Sequence, residues 1–208
     1  MIICNFTDSY KKIDDQKIRE GRILDFSDLA ECCGYCSDAA AGVIRERIKK
    51  EDVHGVRYID DGNHHYLSKI WMEKIDEPFD LCVFDHHTDL QAPGLLPYLS
   101  CGSWIRDSLE ELQLLEEVYL IGIPSGETIP DDVPAERIHV IPEEEANTGS
   151  LTVPDSGRPI YISVDLDVLS EDEFTSIWDQ GSMKKERLRE WIRSLENCRR
   201  ILAEDYCG

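Results

Sequence analysis

The sequence predicts an α/β protein built on a mostly parallel sheet, and three observations carry that expectation. Short apolar, β-prone runs alternate along the chain with segments of helical period. Two of the runs, Leu81-Cys82-Val83-Phe84 and Ile160-Tyr161-Ile162-Ser163-Val164, are apolar almost throughout, as buried strands are. Three runs end directly in knots of aspartate and histidine, and in open parallel sheets ligands bind beyond the carboxyl ends of the strands.

Taken in order, residues 1–6 form a first strand and a polar stretch follows over residues 7–21. The run Arg22-Ile23-Leu24-Asp25-Phe26 leads into a loop holding Cys32, Cys33 and Cys36. Ser37-Asp38 caps a helix that reaches Lys50, with Arg45, Arg47, Lys49 and Lys50 matching its C-terminal dipole. Residues 55–59 are a second buried strand ending at Asp60-Asp61-Gly62-Asn63-His64-His65, and residues 66–75 are helical, with Leu67, Ile70 and Trp71 on one face. After the strand at residues 81–84, Pro93, Gly94 and Pro97 mark a loop. Residues 103–115 form an amphipathic helix, residues 118–123 and 137–141 strands, with a turn-rich segment at 124–135 between them. Glu143-Glu144-Glu145 reads as a solvated face. The strand at residues 160–164 precedes Asp165-Leu166-Asp167, residues 184–197 are helical, and residues 200–203 form a last strand.

A chain of 208 residues fits one domain over residues 1–208 and can bury roughly 70% of its unfolded surface. Its 41% hydrophobic and 31% charged residues are those of a globular protein. A formal charge of −21 argues against nucleic acid or an anionic membrane as partner. The N-terminus lacks a basic start and an apolar core of signal length, and no apolar run approaches a membrane span, so a cytoplasmic location is expected. In that compartment the eight cysteines are reduced thiols by default. Cys33 and Cys36 have CxxC spacing, but no second CxxC completes a structural zinc site, which favours a loop with free thiols.

The chemistry concentrates in Asp85-His86-His87-Thr88-Asp89. Asp85, His87 and Asp89 alternate, which on an extended segment points three metal-ligand types to one side. Asp165 and Asp167 follow the strand at 160–164, and His65 follows the strand at 55–59. Four aspartates carry four negative charges, which two divalent cations neutralise while His65 and His87 complete the set.

The first of these motifs resembles the Asp-Ala-His-x-Asp motif of the ureohydrolase superfamily (arginase, agmatinase, formimidoylglutamase). Ser163-Val164-Asp165-Leu166-Asp167 resembles its Ser-x-Asp-x-Asp motif, and Gly62-Asn63-His64-His65-Tyr66 a reduced Gly-Gly-Asp-His-Ser motif, in the family's order. The resemblance implies a three-layer α/β/α sandwich of arginase/deacetylase type. It also implies a binuclear manganese centre with ligands His65, Asp85, His87, Asp89, Asp165 and Asp167. The chain departs from the family in three places. Residues 90–138 hold no histidine, Asp167 is followed by Val168-Leu169-Ser170 rather than Pro after an Asp, and the late acidic residue that grips guanidinium has no evident counterpart.

The expected function is hydrolysis of a linear C–N bond (guanidino, amidino or amide) in a small molecule, with water activated by two metals. Asp85 belongs to the reacting centre; His64, His86 and Asp179 are the candidate donors of a proton to the leaving amine. Two other readings stand beside this one. One is a mononuclear zinc amidohydrolase of deacetylase type, using Asp85, His87 and one of Asp165 or Asp167; the other is a non-catalytic metal-binding protein. The expected partner is a small-molecule substrate, without nucleic acid or membrane, and homo-oligomerisation is left open.

Overall fold

The computed structural model describes residues 1–12, 16–92, 94 and 98–208. Of the loop residues named above, Pro93 and Pro97 lie outside the described residues. In chain order the elements are β1 (Ile2–Asn5), α1 (Gln16–Glu20), β2 (Arg22–Asp25), β3 (Tyr35–Cys36), α2 (Asp38–Ile48), β4 (Gly55–Ile59), α3 (Leu67–Met72) and β5 (Phe79–Phe84). They continue with β6 (Leu99–Ser100), α4 (Trp104–Glu111), β7 (Leu115–Ile123), β8 (Ile138–Pro142), α5 (Glu143–Thr148), β9 (Ile160–Asp165), α6 (Lys185–Cys198) and β10 (Ile201–Cys207).

The main sheet runs β2-β1-β4-β10-β9-β5-β7-β8. Every described pairing in it is parallel. Among the described residues only β3 and β6 pair antiparallel, as a separate two-stranded ribbon. A parallel strand covered on both faces must be apolar at successive positions, not alternate ones. That is why β5 and β9 are buried at every residue. Along β5 the faces still alternate: Leu81 and Val83 enter one core with Ile44, Trp71 and Ile105, while Cys82 and Phe84 enter the other with Trp191 and Leu195. Helices α2, α3 and α4 therefore cover one face and α5 and α6 the other, giving the expected three-layer α/β/α sandwich.

Local signals set most boundaries. Ser37 caps α2 by accepting a hydrogen bond from the Ala40 amide. Helix α4 ends at Glu111 rather than near Leu115, because Leu115 is already paired with Phe79 in the sheet. The last strand is the largest difference from expectation. It extends to Cys207 and lies centrally, between β4 and β9, although Glu204 and Asp205 are residues that strands disfavour. Glu144 and Glu145 are exposed on α5, as read from the sequence. Cys32 and Cys36 are buried, Cys33 is exposed, and all are free thiols. No helix among the described residues is long and apolar enough to cross a membrane.

At the amino end of β5, away from the knots of acidic residues, Asp80 is fully buried. It accepts from Ser156 Oγ at 2.6 Å, Arg199 Nη2 at 2.7 Å and Arg158 Nε at 2.7 Å. Burial pushes its carboxyl up, but Ser156, Arg199 and Arg158 outweigh it and hold the pKa below the ordinary 3.8. With a depressed folded pKa, the contribution is complete above that ordinary value and is lost as pH falls through the folded one. Asp80→Asn leaves Arg199 buried without its counter-charge, so a loss on the order of 3–5 kcal/mol is expected in urea unfolding at neutral pH. The penalty should shrink as the pH of the unfolding series is taken below the ordinary aspartate range; an equal penalty at every pH would show that charge pairing is not its source.

Candidate metal centre

The three acidic knots meet because the strands before them lie close together in one sheet and end at the same edge. Asp85 follows β5, Asp165 ends β9, which pairs directly with β5, and the turn after β4 delivers His65. The segment from Asp85 to Asp89 is not an extended strand. The His87 amide donates to Asp85 Oδ1 at 2.6 Å, bending the chain, and Asp89 takes a left-handed φ of 49°. The ligand types converge through a turn, then, rather than through strand alternation. Asp165 caps a short 3-10 turn by accepting from the Asp167 amide at 3.0 Å, which carries Asp167 back over the cluster.

His65 sits at the centre. It is 1% exposed, and its Nδ1 has no hydrogen-bond partner. That nitrogen lies 3.3 Å from Asp85 Oδ2, 3.4 Å from Asp165 Oδ2 and 3.5 Å from Asp89 Oδ2. His65, Asp85 and Asp89 thus form one group of donor atoms within 4.8 Å of one another, and Asp85, His87 and Asp167 form a second. Asp85 belongs to both. His87 Nδ1 stands 3.0 Å from Asp167 Oδ2 and 3.4 Å from Asp85 Oδ1. Trp104 Nε1 donates to Asp89 Oδ2 at 2.6 Å, and its ring lies 4.7 Å from that of His65.

The electrostatics are those of anions packed together. Burial and the charges of Asp167 and Asp85 raise Asp165 well above the carboxylate range. Burial and Asp85 push Asp167 to about 7 and Asp89 to about 6. Burial would raise Asp85 too, but contacts with His65 and His87 draw it down to about 2. Contacts with Asp167 and Asp85 raise His87 to about 11; His65 is raised well above its usual value, its neighbouring carboxylates overcoming burial. Protons are thus drawn in to offset negative charge, the place a divalent cation takes in such a donor set. A bare, buried imidazole nitrogen facing three carboxylate oxygens fits a hard or borderline cation.

The cluster floors a crevice of about 360 Å³ walled by Tyr35, Gln91, Ser100, Cys101 and Trp178. Trp178 is 42% exposed and also borders a neighbouring cavity of about 610 Å³ lined by His86, Glu171 and Asp179. His86 and Asp179 therefore share a space beside the crevice, and His86 Nδ1 is buried without a hydrogen-bond partner. Burial and the neighbouring His87 lower the His86 pKa. His64 is not brought to the cluster. Its ring stacks on Phe6 at 4.1 Å and its Nδ1 contacts Asp61 at 2.9 Å, so it braces the turn before His65. Neither Trp178, in the loop beside the predicted Asp179, nor Asp205, beyond the strand expected at residues 200–203, is among the site residues that the sequence predicts.

Comparison with known proteins bears on the fold. No family model matches the chain. An uncharacterised protein of Thermotoga maritima is 32% identical over 154 residues, which is 74% of this chain and 58% of that protein. Among solved structures, proclavaminate amidinohydrolase from Streptomyces clavuligerus superimposes with a TM-score of 0.65 at 16% identity, over 89% of this chain and 66% of the enzyme. Arginase from Bacillus caldovelox gives 0.66 at 14% identity, over 100% and 89%. Formimidoylglutamase from Bacillus subtilis gives 0.60 at 16% identity, over 90% and 64%. The chain spans less than two thirds of the length of the Thermotoga and Streptomyces proteins.

Gly62 lets Trp178 close over the cluster. A Cβ there would stand 2.9 Å from Trp178 Cδ1 and 3.3 Å from Asp165 Oδ2. Gly62→Ala should expel the indole at a stability cost of about 1 kcal/mol. Trp71, Trp104 and Trp191 are fully buried, so acrylamide quenching reads Trp178 selectively. The accessible fluorescence should rise; unchanged quenching would show that the indole does not rest on Gly62.

Proposed function

We propose, from the premise that this chain has the arginase-type fold of the ureohydrolase superfamily, that it is a hydrolase with a binuclear divalent-metal centre acting on a linear C–N bond of a guanidino, amidino or amide small molecule. The observation that carries the proposal is Asp85, shared between two donor groups, with His65 Nδ1 bare among three carboxylate oxygens. One ion would be held by His65, Asp85, Asp89 and Asp165, the other by Asp85, His87 and Asp167. Oxygen-rich sets completed by imidazole suit manganese.

Bound there, the cations would acidify a water and polarise a planar carbon, the chemistry that C–N hydrolysis requires. The protein's own groups do the rest. Trp104 holds the Asp89 carboxylate by hydrogen bonding to Oδ2. Trp178 and Tyr35 wall the crevice and limit entry to a small substrate. His86 and Asp179, in the adjoining cavity, are the groups positioned to pass a proton to a leaving amine.

Elemental analysis after reconstitution with manganese should give two ions per chain. Asp85→Asn should lose both, whereas Asp89→Asn and Asp167→Asn should each weaken one. Manganese at about a hundredfold over its Kd should raise stability by about 2.7 kcal/mol for each ion bound, visible as a higher Tm that a chelator reverses. A single tightly held zinc would replace this reading with the deacetylase type. Metal binding without turnover across a panel of guanidino, amidino and N-acyl compounds would leave the non-catalytic reading.

A further inference from the structure

We infer that Asp205 is a positioning residue: acting through Ser163, it keeps hydrogen on His65 Nε2, so that Nδ1 is the nitrogen whose proton a cation displaces among the carboxylates. The inference rests on the metal reading above only for its consequence, since the proton arrangement itself follows from hydrogen-bond inventory. Asp205 on β10 lies in register with Arg57 on β4 and with Ser163 on β9. Tyr161 stands two residues before Ser163 and so on the same face of β9. All four side chains are fully buried.

The direction of each hydrogen bond is forced. Arg57 has only donors, and its Nη2 donates to Tyr161 Oη at 3.0 Å. A carboxylate only accepts, so Tyr161 donates its hydroxyl proton to Asp205 Oδ2 at 2.5 Å and Ser163 donates to Oδ1 at 2.6 Å. Ser163 has then used its one proton. Toward His65 Nε2 at 2.9 Å and Ser68 Oγ at 3.2 Å it can only accept. His65 must therefore carry hydrogen on Nε2, and in its neutral form Nδ1 is unprotonated. A group removed from the cluster by two hydrogen bonds thus decides which ring nitrogen is available to a cation.

Asp205→Asn is nearly isosteric and reverses this. Its amide satisfies every hydroxyl only with nitrogen toward Ser163 and oxygen toward Tyr161. Ser163 then accepts from the amide and turns its own proton to His65 Nε2, leaving hydrogen on Nδ1, where the cation would bind. Divalent-metal affinity should drop by about 10–100-fold. Tyr161→Phe breaks only the other branch and should keep manganese affinity close to wild type.

The test pairs manganese titration by EPR with nitrogen-15 NMR of His65 in chelator-treated protein, over a pH series and read where the imidazole is neutral. The expected result is the Nε2–H tautomer in wild type and in Tyr161→Phe, and Nδ1–H in Asp205→Asn with weakened metal binding. A wild-type Nδ1–H tautomer overturns the inference, as does equal loss of affinity in Asp205→Asn and Tyr161→Phe. If Asp205→Asn does not fold, Ser163→Ala serves: loss of the Nε2–H preference supports the relay, and its retention overturns it. Wild-type protein that binds no metal yet holds the Nε2–H tautomer would sink the metal reading and leave the relay standing.

Discussion

Everything at the carboxyl edge of this sheet answers to one constraint: four buried carboxylates face one another within a few ångströms. Asp85, Asp89 and Asp165 each approach the same nitrogen of His65, and Asp167 closes on His87. Burial first and mutual repulsion second hold the carboxyls of Asp89, Asp165 and Asp167 above the ordinary range. A fold whose core could be filled with apolar residues at lower cost keeps such a cluster only where positive charge compensates it.

The scaffold is built to hold that arrangement. Parallel pairing brings the ends of β5, β9 and β10 to one edge, and close approaches then tighten it. Gly122, with φ of 106°, leaves room where a Cβ would meet Val168 Cγ2 at 2.6 Å and the Asp85 carbonyl at 3.0 Å. Asp89 holds a left-handed backbone, a strain that the bond from Trp104 helps to sustain. Behind His65 the core supplies a directed chain of donors that ends on Asp205.

The solved structures that superimpose on the chain are longer or differ over most positions, and they share its layered sheet. One side of the crevice is walled by Trp178. Trp178 rises from the loop after β9, and Gln180 pins that loop by donating to the carbonyls of Leu169 and Phe174, both at 3.1 Å. Trp178 also borders the cavity that holds His86, Glu171 and Asp179.

The sequence by itself determined the α/β class, the parallel sheet and the six residues of the cluster. Apolar runs that end in Asp and His can be read locally, and their convergence follows from strands ending at a common edge. It could not show that Asp85 to Asp89 is a turn, because an alternating pattern looks the same on an extended segment. Nor could it assign His64, whose ring is turned toward Phe6 by packing from β1. The tertiary structure alone decided the place of β10. Glu204-Asp205-Tyr206-Cys207 has the composition of an exposed end, yet neighbours on both sides, β4 and β9, bury it. A charged residue is legible as a core residue only once its partners are known, and those of Asp205 lie 42 and 44 positions away in the chain.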